Sequence, residues 1–264
     1  MGLPDIADAF PISVWFAVIA IAAVAGIVHG TLGLGFPLVA TPLLTLFTDI
    51  RTAIVFTILP SITVQIISIV RGGNWAASIA RFWPMPVYFA AGGYLGTRLL
   101  IASDPAPFAL LLVAIIFVYL GQERLGRLDW SALSRRPQLF GALFALGAGF
   151  FEGTVNASAP PLVIFFMALR LAPTALVQAM NLCFLSGKSM QVLALTVNGG
   201  VTAAAWAATL PAVLTGAAAL MVGIALRSRV DAETFRAWLR HALLVMAVLL
   251  LAQFAHHAWN HGRW

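Results

Sequence analysis

Apolar residues fall along this chain in blocks, over 12–28, 36–47, 52–70, 83–101, 106–121, 139–151, 160–170, 173–197, 202–226 and 238–257. The longer blocks match the roughly 20 residues a helix needs to cross a ~30 Å hydrocarbon core. Transmembrane strands would alternate apolar and polar positions over about ten residues, which this chain does not do. The pattern predicts a bundle of membrane helices, because a helix satisfies its own backbone hydrogen bonds in lipid.

Two of the crossings are interrupted. "HGTLGLGFP" (His29 to Pro37) separates 12–28 from 36–47, and "EGTVNASAPP" (Glu152 to Pro161) separates 139–151 from 160–170. Each arm is short for a spanning helix, so half-helices meeting inside the membrane are predicted. Gly30, Gly33 and Gly35 ease the exit from the helix, and Pro37 suits the first turn of the next one. Pro160 and Pro161 have the same position after the second break.

The polar stretch "QERLGRLDWSALSRRPQ" divides the chain into a first repeat (1–121), a linker (122–138) and a second repeat (139–264). Each half shows a broken segment and then three further helices. "GFPLVATPLLTLF" faces "APPLVIFFMAL", and "IRTAIVFT" faces "LAPTALVQ", with a register that drifts by a residue or two.

Composition fixes the solvent. The chain is 61% hydrophobic and 9% charged over 264 residues, which makes it an integral membrane protein. The formal charge of +6 would suggest nucleic acid in a soluble protein. Here the arginines sit in short loops and report topology, and no nucleic-acid partner is expected. Arg71 and Arg81, then Arg124, Arg127, Arg135 and Arg136, then Arg227, Arg229, Arg236 and Arg240 mark three cytoplasmic loops. All three share one side only if segment 139–170 returns to the side it started from. The two halves then run in opposite orientations, a recurring plan of secondary transporters. Arg51 and Arg98 fall outside in this scheme, against the rule, with Asp5, Asp8, Asp49 and Asp104. Asp5 and Asp8 also replace the basic start of a signal peptide, so the first segment is expected to remain in the mature protein. Cys183, the single cysteine, excludes an internal disulfide. Trp83, Trp206, Trp238, Trp259 and Trp264 sit mostly near helix ends, as interfacial anchors do.

Helix starts at Pro37 and Pro160 would leave backbone N–H groups unpaired, and their dipole ends favour an anion. Thr31, Thr154, Asn156 and Ser158 add side-chain donors. The competing reading is that the glycines only let helices pack closely. Lys188, the one lysine of the chain, either binds an anionic substrate or pairs with Glu152. His29 either carries a coupling proton or is a hydrogen-bonded structural residue. Gln65, Gln178, Asn181 and Gln191 either line a cavity or bond between helices. His256, His257 and His261 lack acidic or cysteine partners, so no metal site is expected. No catalytic or nucleotide-binding motif is present, so neither an enzyme nor a cofactor is expected, and a nucleotide-driven pump would need a partner subunit.

"GTLGLGFPLVATPLL" and "EGTVNASAPPLV", each followed by a long helix carrying small and polar residues, resemble the sulfite exporter TauE/SafE family of bacterial membrane transporters. The resemblance spans nearly the whole chain. It implies movement of small sulfur anions, such as sulfite, sulfoacetate and other organosulfonates, across the cytoplasmic (inner) membrane. Its glycine motif maps onto Gly30, Gly33, Gly35 and Pro37, and its second motif onto Gly153 and Pro160 or Pro161. Asn156, Ser158 and Ala159 stand where many relatives carry glycine, which points to that break as a determinant of specificity. The expected fold is an all-α polytopic membrane protein of two inverted repeats, each with a broken or re-entrant hairpin and three transmembrane helices. The expected binding set is Thr31, Gly33, Gly35, Phe36, Pro37, Thr154, Asn156, Ser158, Ala159, Pro160 and Lys188. The alternative is transport or channelling of another small anion such as a carboxylate, and the third is a membrane-embedded enzyme or scaffold. Membrane lipid is the other expected partner, and a homo-oligomer is left open.

Overall fold

The computed structural model describes residues 11–73, 75–121, 133, 135–199, 201–229 and 231–261. Most of the predicted linker lies outside these residues, as do Asp5, Asp8, Arg124, Arg127, Trp264 and the side chains of His257, Trp259 and His261.

The described residues form helices without strands. The first half comprises α1 (Ile12–Leu32), α2 (Phe36–Thr45), α3 (Ile50–Gly72), α4 (Trp75–Phe82), α5 (Pro84–Ala102) and α6 (Ala106–Leu120). The second comprises α7 (Pro137–Val155), α8 (Ala159–Ala168), α9 (Pro173–Asn198), α10 (Ala203–Ala208), α11 (Leu210–Leu226) and α12 (Ala232–His261). Five stretches are long and apolar enough to cross a membrane: Ile12–Leu32, Ile50–Gly72, Pro137–Val155, Ala203–Leu226 and Arg236–His256. α9 has the length at 26 residues, but its amides and Lys188 dilute its hydropathy. Exposed Phe16, Leu95, Leu143, Leu214 and Val245 give the bundle the apolar exterior of a multi-pass membrane protein.

Both breaks lie later than the sequence predicts. α1 runs through His29, Gly30 and Thr31, and α7 runs through Glu152, Gly153 and Thr154. The first arms, 21 and 19 residues long, rise about 32 and 28 Å at ~1.5 Å per residue. They are full-length, and only α2 and α8, ten residues each, are half-helices. The polar residues expected to end the helix instead find partners from within it. The chain turns where a residue adopts the left-handed conformation: Gly33 (φ 82°), whose N–H donates to His29 O at 2.7 Å, and Asn156 (φ 57°), whose N–H donates to Glu152 O at 3.1 Å. Glycine adopts this conformation freely, and asparagine is among the few other residues that tolerate it.

Hydrogen bonds fix the helix directions. His29 near the end of α1 meets Ser68 near the end of α3 at 3.1 Å, so α1 and α3 run the same way and α2 returns between them. Gln191 Nε2, late in α9, donates to Glu152 O, late in α7, at 2.8 Å, so α8 likewise returns. Gln178 Nε2, early in α9, donates to Ile69 O and Gly73 O at the end of α3, at 3.1 and 3.0 Å, so α3 and α9 are antiparallel.

The closest packing recurs twice. α1 crosses α11, where a Cβ on Gly26, Gly30 or Gly223 would overlap the backbone of Gly216, Leu220 or Ile27. α7 crosses α5, where a Cβ on Gly149, Gly153 or Gly96 would overlap Phe89, Gly93 or Phe150. One spacing relates Gly26 to Gly149, Gly30 to Gly153, Gly33 to Asn156 and Pro37 to Pro160. A second relates Gly216 to Phe89, Leu220 to Gly93 and Gly223 to Gly96.

The arginines against the charge rule have local work. Arg51 Nε donates to Leu100 O at 3.0 Å, and its Nη2 donates to Ile101 O at 3.3 Å and to Ser103 O, capping the end of α5. Arg98 Nη1 donates to Asn198 Oδ1 at 3.1 Å and to Tyr94 Oη at 3.2 Å. Every other arginine of the described residues lies at the opposite end of the bundle.

Candidate functional site

The second break builds a closed polar cluster. Lys188 Nζ lies 2.7 Å from Glu152 Oε1, with both side chains fully buried. The ammonium also donates to Gln191 Oε1 at 2.8 Å and to Asn156 Oδ1. Glu152 Oε2 accepts from Ser158 Oγ. Gln191 Nε2 adds a bond to Asn156 Oδ1 at 3.2 Å. Asn156 Nδ2 reaches across to the first half, to Thr57 Oγ1 at 2.7 Å and Thr41 Oγ1 at 3.1 Å. A buried charge that keeps its partner and its hydrogen bonds is tolerable in an apolar interior, and an unpaired one is not. α7, α9 and the break supply every group that this requires.

The first break builds a looser, neutral counterpart. Phe36 N donates to His29 Nδ1 at 3.4 Å, which leaves Nε2 to carry the proton toward Ser68 Oγ. Asn181 Nδ2 on α9 donates to Gly33 O at 3.0 Å. The spacing that relates the breaks also relates His29 to Glu152, Gln65 to Lys188 and Ser68 to Gln191. Each half therefore carries a polar set at the same three places, charged in one and neutral in the other.

These sets are not one pocket. Asn181 and Lys188 are seven residues apart on α9, about 10 Å at ~1.5 Å per residue, so the first break sits toward the Arg71 end and the second toward the Arg51 end. Thr31 and Thr154 join neither set. Thr31 Oγ1 donates to Ile27 O at 2.9 Å and Gly223 O at 3.3 Å, and Thr154 Oγ1 donates to Phe150 O at 2.9 Å. The half-helix starts are also poorer in donors than expected. Phe36 N is taken by His29, and Pro37, Pro160 and Pro161 have no N–H to offer. Gly35 (φ 110°) shapes the turn, and Ala159 and Pro160 are buried at the start of α8. Side chains, not helix N-termini, dominate both clusters.

Between the clusters runs a stripe that sequence reading found only in part. Thr57, Ser61, Gln65 and Ser68 lie on one face of α3 at helical spacing, joining Asn156 at one end to His29 at the other. Ser61 and Gln65 are fully buried, and Ser61 Oγ and both polar atoms of Gln65 have no hydrogen-bond partner among the described residues. The i, i+4 repeat of polar residues inside an apolar segment is the signal that identifies the stripe. No group of three or more histidine, cysteine, aspartate or glutamate residues comes together among the described residues.

Asn156 joins three helices, so its replacement separates backbone from side-chain effects. Asn156→Gly keeps the left-handed turn and removes the bonds; Asn156→Ala removes both. Glycine should cost about 1–3 kcal/mol for the stranded partners, and alanine about 1 kcal/mol more for the turn, read as a two-step loss of thermal stability.

No curated protein and no solved structure matches the chain. A family model does, over residues 18–250, and its description is Sulfite exporter TauE/SafE. That span takes in both breaks, both clusters and the stripe between them, and the chain belongs to the sulfite exporter TauE/SafE family, membrane transporters of sulfur anions.

Proposed function

We propose that this protein is a secondary carrier that moves sulfite or a small organosulfonate across the bacterial inner membrane by alternating access. The helix directions and the recurring spacing support reading the halves as an inverted repeat. The observation that carries the proposal is Gln65, an amide buried without partners on the stripe between two polar clusters. An unpaired buried amide costs stability, and a passing ligand that bonds to it explains why it is kept. The anion is held by side chains along α3 and α9, with Lys188 at one end of the path.

The test is counterflow of labelled sulfite or sulfoacetate in proteoliposomes. Gln65→Leu should lose most of the flux while its thermal stability holds or rises, because no protein hydrogen bond is broken. A purely structural Gln65 would give the reverse, lower stability with flux retained. Saturable flux of a carboxylate but of no sulfur anion would move the cargo to the other class.

A further inference from the structure

Resting on that carrier reading, we propose that a cavity at the Arg71 end is the vestibule where the sulfur anion first binds, held by Arg71 and Arg227. The cavity has a volume of about 250 Å³, and His29 and Gly33 at the first break line it. Arg71, from the end of α3, and Arg227, from the end of α11, line it. Both are exposed, and neither has a carboxylate partner within ion-pair distance among the described residues. Among the described residues Arg71 Nη1 meets Met221 Sδ, a weak acceptor.

Two further features favour an anion-sized, hydrogen-bonding guest. Thr174, in the first turn of α9, also lines the cavity; that helix has no side-chain cap, and although Pro173 offers no N–H, its positive dipole end lies beside the same space. Gln178 also lines the cavity. It is buried and held by its two Nε2 bonds, while Oε1 has no partner among the described residues. That oxygen accepts a bond from a guest-borne proton or from the guest's water. Two guanidiniums over a confined, partly apolar space concentrate anions and raise their capture rate.

The groups that correspond at the other end of the molecule are already engaged. The spacing that relates the breaks carries His29 to Glu152, which Lys188 holds, and Thr174 to Arg51, which caps α5, while Gln178 falls on the apolar Val55. The two faces therefore differ in chemistry, and the test must distinguish them.

Uptake of labelled sulfite is compared in right-side-out and inside-out vesicles. The Arg71→Gln/Arg227→Gln double variant should raise KM about tenfold from the Arg71 side and leave the opposite side within about twofold. Salt dependence of KM on the Arg71 side should fall with it, and Arg71→Lys/Arg227→Lys should restore both. An unchanged KM, or an equal rise on both sides, overturns the vestibule. Sulfite-dependent thermal stabilisation of the purified protein separates the two proposals. If the wild type carries no flux but its stabilisation depends on both arginines, the vestibule stands and the carrier reading falls. Equal stabilisation of wild type and double variant removes the vestibule even where flux is normal.

Discussion

Lys188→Ala should destabilise the protein by about 3–5 kcal/mol, because it leaves the Glu152 carboxylate buried without its counter-ion. Glu152→Ala should cost a similar amount by stranding the ammonium. The double variant Glu152→Leu/Lys188→Met removes both charges and fills much of their volume, so it should recover part of the loss. Recovery will be incomplete, since the Ser158 hydroxyl and Gln191 Oε1 lose their partners, each worth about 1–3 kcal/mol when left unpaired in the interior. Unfolding in detergent measures all three. Flux through the double variant then decides the role of the pair: a folded protein that does not transport makes Lys188 part of the anion path, and one that does makes the pair scaffolding.

Gly153→Ala should be among the most damaging methyls in the molecule's second half. The new Cβ would meet Gly93 O, Thr97 N and Gly96 C, all backbone of α5, so no side chain can swing aside and the helices must separate. Overpacking of this kind costs about 1–3 kcal/mol. Gly30→Ala meets the same obstruction from Leu220, Gly223 and Ile224 on α11 and should cost as much. Gly147→Ala, with nothing within 4 Å of its Cβ, is the control and should gain a few tenths of a kcal/mol through helix propensity. Thermal midpoints of the three variants check the order.

The bundle, its segment order and both interruptions are legible in the sequence because hydropathy and proline–glycine punctuation are local signals. The break positions are less so. His29 and Glu152 read as the ends of apolar runs, yet both stay helical because partners from α2, α3 and α9 satisfy them. All but Phe36 are distant in sequence and leave no local trace. The true stops are the residues that tolerate a left-handed turn, Gly33 and Asn156. Identities alone also misjudge the internal register, since matching "PLV" to "PLV" shifts it by one. The glycine crossings and the two turns hold a constant spacing instead. The predicted segment 202–226 contains two helices, α10 capped by the Thr202 hydroxyl and α11 restarted after Thr209 with Pro211 in its first turn.

Gln65 and Lys188 show the limit from the other direction. Sequence reading marks both as polar residues within spans. It could not show that one is locked by Glu152, Asn156 and Gln191 while the other, its structural counterpart, has no partner among the described residues.

The Glu152–Lys188 pair would also set the electrical character of the proposed carrier. The two formal charges cancel, so the buried path between the arginine-rich end and its opposite holds no net charge of its own. A monoanion carried along it is then the moving charge, and each 100 mV across the bilayer is worth about 2.3 kcal/mol to it. Under the proposed mechanism, a membrane that is negative inside drives such a cargo outward by that amount.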